Sequence, residues 1–246
     1  ADDLFKRAER DGPIRRELAD DTVLEGGARR LRRGVLDPAD PTQLFVEAPD
    51  TARAALPAAL ASYRASLDAP PPAEELTILD VVRELGSGVA SWARVRLVVL
   101  VRGPSDGPDD DRLLEVKELA DSGTATPIGP YLHADMVQER VVRAARGAWA
   151  RPDADPSWGS SSLLGLPVQV RAETSWHRTV RVSRMVGARG TPEAIAAIVE
   201  LEASVLARAH AATDAGEPDP TPAIAAAIGQ DVEGFADEQA DVAEAY

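Results

Sequence analysis

The sequence predicts an α+β fold in which an antiparallel sheet of about five strands carries one inserted helix and is flanked by helices on both sides. Three observations predict it. Residues 77–85, 93–102 and 112–119 are rich in β-branched residues or leucine and are bounded by turn residues. Residues 133–149 have helical apolar spacing and lie before two further strand-like runs, 166–173 and 177–185. From residue 192 onward the pattern is helical.

Taken in order, residues 2–20 and 22–34 read as short helices rich in Arg and Glu, the second interrupted by Gly26 and Gly27. Residues 36–50, rich in Pro and Asp, read as a connector. Residues 51–67 read as an Ala-rich helix with Pro57 inside it, closed by the proline run at 70–72. The turn Gly86-Ser87-Gly88 joins the first two strands, and the polar loop 103–111 joins the second to the third. Met136, Val137, Val141, Ala144 and Ala145 supply the apolar stripe of the inserted helix. The last two strands flank a turn at Thr174–Trp176, and helices follow at 192–211, 220–229 and 231–245. This divides the chain into a helical segment at 1–74, a sheet domain at 75–190 and a helical segment at 191–246. Three strands, a helix and two strands make the shape of a protein-kinase small lobe, which other α+β domains share.

Composition bounds the function. Hydrophobic residues make up 44% of the 246 and aromatics only 4%, so Leu, Val and Ala must fill the core. No apolar run approaches the roughly 20 residues of a membrane helix, and no signal peptide is visible. With no cysteine and three histidines, disulfides and thiolate or His-rich metal sites are not expected. A cytoplasmic location is the default. The net charge is −14, and residues 214–246 hold nine acidic residues and no basic one. Those acidic helices suit a protein partner. Nothing favours nucleic acid, which needs concentrated positive charge; Arg29, Arg30, Arg32 and Arg33 read as a solvated face.

Two counts point to chemistry. Of 27 basic residues only Lys6 and Lys117 are lysines, and there is no asparagine. A nucleoside triphosphate needs a Gly-rich turn whose N–H groups approach the phosphates. It also needs a lysine on the third strand for the α- and β-phosphates, and a glutamate on the next helix to hold that lysine. Gly86, Ser87 and Gly88 supply a turn of the G-x-G form, with Ser91 where a third glycine would stand. Alone it is an ordinary tight turn. Lys117 lies among Leu113, Leu114 and Val116 on the third strand, where a compact ammonium suits a phosphate. Glu139 follows on the inserted helix, although it could equally pair with Arg143 at i,i+4. The order of the three is what favours a site for ATP and Mg2+.

His133-Ala134-Asp135 has the H-x-D form of a kinase catalytic loop, but the required Asn is Arg140 here. His210 and Asp214 likewise precede no Asn. Trp92, Trp149, Trp158 and Trp176 read as core or turn anchors.

From about residue 58 the chain resembles the bacterial domain-of-unknown-function 2252 family (DUF2252). The resemblance rests on ALASYRASL (59–67), LGSGVASWARVRLVVLVRG (85–103), RLLEVKEL (112–119), QERVV (138–142), TVRVSRMVG (179–187), VLARAHA (205–211) and AEAY (243–246). It implies a circularly permuted relative of protein and aminoglycoside kinases. This chain would then be the C-terminal, ATP-binding half, since the G-D-x-H-x-x-N and D-F-D motifs of the upstream half are not in it. Gly86, Ser87 and Gly88 would cover phosphates, Lys117 would contact them and Glu139 would orient Lys117. Val180 to Met185 would approach the adenine hinge. The rival expectation is a non-catalytic binding or regulatory module that keeps the lobe.

Overall fold

In the computed structural model of the protein, the structure describes residues 2–13, 15–37, 40–86, 94–120, 136–148, 155–176, 191–211 and 221–245. Helices α1 (Asp2–Asp11) and α2 (Arg16–Asp21) lead into the hairpin β1 (Thr22–Glu25) and β2 (Ala28–Leu31). The helix expected over 22–34 is therefore corrected to a hairpin. Gly26 and Gly27 both take positive φ, 58° and 85°, which lets a two-residue turn match the strand twist. The connector expected at 36–50 is also corrected. It holds β3 (Gly34–Asp37) and β4 (Asp40–Glu47), and β4 pairs with β5 (Ile78–Leu85) through Leu44↔Leu85 to Glu47↔Val82.

The remaining strands are β6 (Arg96–Val101), β7 (Arg112–Glu118), β8 (Gly159–Leu163) and β9 (Leu166–Glu173). The sheet has seven strands rather than about five, in the order β3-β4-β5-β6-β7-β9-β8, with every pair antiparallel. Helix α4 (Val137–Ala148) lies in sequence between β7 and β8. The strand expected at 177–185 lies outside the described residues. Helices α5 (Pro192–Ala211), α6 (Thr221–Ile228) and α7 (Val232–Ala245) fall where the sequence places them.

One face of the sheet is covered by α3 (Asp50–Ala65). Its buried residues Ala52, Leu56, Ala59, Leu60 and Tyr63 form a single helical stripe, leaving Pro57 outside. They pack on Val81, Leu97, Val99, Leu114, Val116, Leu163, Val168 and Val170. The opposite face is apolar at one end, where Phe45, Val82, Val98, Leu100 and Leu113 meet Leu18 and Leu31. Asp80 fixes that end: it accepts from the Leu31 N–H at 2.9 Å and from both arms of Arg33 at 3.0 Å. The other end of that face is charged.

Among the described residues, no helix is long and apolar enough to cross a membrane.

Candidate functional site

The charged end follows from strand alternation, which sends every second side chain to the same face. On β7 the alternation that buries Leu114 and Val116 under α3 turns Glu115 and Lys117 to the opposite side. Lys117 lies opposite Arg96 on β6 and Gln169 on β9, and Glu115 lies opposite Arg171. Ser160 on β8 continues the row beyond Gln169.

Glu115 is 1% exposed. Its Oε1 lies 3.1 Å from Arg96 Nε, and its Oε2 accepts from Arg171 Nε at 2.7 Å. Arg96 also stands 3.6 Å from Glu84. The Arg171 guanidinium carbon lies 5.6 Å from the centroid of the Trp158 ring, within cation–π reach. One buried carboxylate thus aligns two guanidiniums, and a half-buried ammonium stands beside them. Burial, then the charges of Arg96 and Arg171, pull Lys117 below the usual lysine range, with Glu115 and Glu84 opposing. An anion placed there would relieve that repulsion.

Glu173 lies on the same face. Burial, then the Glu115 charge, push its carboxyl up to about 7 against the pull of Arg171. On α2, burial, then Asp20, Glu84 and Glu17, push Asp21 up to about 6. A carboxyl whose folded pKa is raised favours folding while it is protonated. The Glu173 contribution is therefore complete below its ordinary value of 4.5 and is lost as pH rises through about 7. Glu173→Gln is expected to flatten the fall in stability across that window and to leave the protein more stable than wild type at pH 8. Urea midpoints measured from pH 4.5 to 8 check this; a Gln variant with the wild-type pH profile would refute it.

Of the site residues expected from sequence, Gly86, Lys117 and Glu139 lie among the described residues; Ser87 and Gly88 lie outside them. Gly86 has φ +78°, and a Cβ there would sit 1.8 Å from the Thr42 carbonyl oxygen. Close passage of β4 thus requires glycine whatever the turn binds. Glu139 is exposed and lines a groove with Ser66, Val142, Arg143, Arg146 and Ser160. No ion pair joins it to Lys117 among the described residues. The sequence reading missed Arg96, Glu115 and Arg171. Their signal was charge at strand positions that α3 leaves on one common face. Among the described residues, no three His, Cys, Asp or Glu side chains converge to hold a metal ion. The donors present suit phosphate oxygens rather than magnesium.

A family model described as "Uncharacterized protein conserved in bacteria (DUF2252)" matches residues 3–246. The match takes in the N-terminal helices and hairpin, well ahead of residue 58, where the sequence resemblance begins. No curated protein and no solved structure matches the chain.

Proposed function

This chain belongs to the DUF2252 family, and on that footing we propose that it is the ATP-binding portion of a kinase-like phosphotransferase. One observation carries the reading. In chain order, β5, β6, β7, β8 and β9 stand first, second, third, fifth and fourth across the sheet, with α4 after the third. A kinase small lobe likewise has a helix after its third strand, and its phosphate-binding lysine lies on that strand. Here that strand is β7, and Lys117 stands on it beside Arg96 and Arg171, with Glu84 and Glu115 among them. In this reading the ammonium neutralises the α- and β-phosphates. The residues after Gly86 would cover them, and Glu139, exposed on α4, would be the acid that orients Lys117. Magnesium would arrive with the nucleotide, and a cytoplasmic location, where ATP is available, belongs to the same reading.

The test is calorimetric titration with ATP and magnesium. Lys117→Ala is expected to weaken binding about tenfold or more, as loss of a charge-assisted phosphate contact should. Equal affinity in the variant would remove Lys117 from the site.

A second reading has its own observation. Helices α5 and α7 expose Val199, Val205, Leu206, Val232 and Val242, and residues 214–246 carry nine acids and no base. Exposed apolar side chains beside one sign of charge suit a protein partner. In that case the lobe is a binding or regulatory module.

A further inference from the structure

Lys117 is the cation that the nucleotide reading uses, but it is one of three. Arg96, Lys117 and Arg171 stand on three adjacent strands and one face. Arg96 is committed to Glu84 and Glu115, and its side chain is only 15% exposed. Arg171 is different. It gives its Nε to Glu115, leans on Trp158 and keeps 28% of its side chain open. A guanidinium anchored through one nitrogen can still present others, and its planar fork suits oxyanions. On the pleated surface Arg171 is the diagonal neighbour of Lys117, a spacing of about 7–8 Å that long side chains span easily.

We propose that Arg171 is a second anion-binding cation beside Lys117, so that the face takes a ligand bearing several phosphates, with Glu115 as the residue that positions Arg171. The proposal rests on the nucleotide reading for the role of Lys117, but its ligand chemistry is the polyphosphate chain itself. That chain can come from a nucleoside triphosphate or from inorganic polyphosphate. Glu115 has a counter-intuitive part here. Its charge repels the ligand, yet without it the fork of Arg171 loses its anchor.

The experiment is calorimetric titration of the 246-residue chain with inorganic tripolyphosphate and, separately, with ATP and magnesium. Tripolyphosphate is expected to bind the wild type, and Arg171→Gln to weaken it about tenfold. Glu115→Gln, judged by a cooperative unfolding transition to be folded, is expected to bind it more weakly despite its more positive charge. Coulomb attraction alone predicts the reverse, so tighter binding by that variant overturns the positioning role. Failure of the wild type to bind tripolyphosphate overturns the proposal. So does equal binding by Arg171→Gln, even if ATP binding still depends on Lys117. If tripolyphosphate binding depends on Arg171 while ATP does not bind, the cradle stands and the nucleotide reading falls. Should Arg171→Gln not fold, tripolyphosphate must protect Arg171 of the wild type from phenylglyoxal. Unchanged modification would overturn the proposal.

Discussion

Glu115→Ala is expected to lower the unfolding free energy by about 3–5 kcal/mol, the range for removing one partner of a buried charge pair. Two effects add. Arg96 and Arg171 lose the carboxylate that sits 3.1 Å and 2.7 Å from them. They then face each other and Lys117, with Glu84, the raised Glu173 and, near Arg171, Asp155 as the remaining carboxylates among the described residues. The wild-type triad is not in itself strongly stabilising, because its three ions were partly stripped of water to make it. Replacing Arg96, Glu115 and Arg171 together by Leu or Met should therefore restore most of the lost stability while removing the cations. Urea titration of the single and triple variants checks both statements. A single-variant loss under about 1 kcal/mol would mean that water already reaches Glu115.

Leu56→Ala is expected to cost about 2–5 kcal/mol, the range for truncating a buried leucine. Leu56 is 0% exposed and sits mid-stripe on α3 over the sheet. The informative part is the shape of the transition. Residues of α3, β5, β6, β7, β8 and β9 share one core, so fluorescence and far-UV circular dichroism should move to lower urea together. Separate transitions would show that α3 unfolds apart from the strands.

The strands at 77–85, 93–102 and 112–119 were legible from their branched apolar residues between turns, most clearly at Leu97 to Val101, where both faces of β6 are buried. β8 was not legible. Its sequence is GSSSL, without the β-branched or aromatic residues that favour strands; tertiary contacts hold it there, taking the Ser160 N–H and the Ser161 hydroxyl. The β1–β2 hairpin was misread because Arg and Leu at 28–33 imitate a helix face. The pair Gly26-Gly27 between short apolar runs was the better signal. Of the site, Lys117 was visible as a rare residue type. Arg96, Glu115 and Arg171 were hidden, because a charge in a strand reads as outward-facing until the topology shows which face is covered.

The serines of β8 have a further consequence. Among the described residues β8 is the last strand on its side of the sheet, and a last strand offers its outward N–H and C=O groups to any passing chain. Here the Ser160 N–H is already taken by Ser66 Oγ at 2.9 Å, and the Ser161 hydroxyl donates to the Ala59 carbonyl at 2.7 Å. The Tyr63 hydroxyl donates to the Ser157 carbonyl at 2.6 Å, just ahead of the strand. The end of α3 thus acts as a stopper. It covers part of that edge, and a second molecule adding a strand there would have to displace the bond between the Ser160 N–H and Ser66 Oγ.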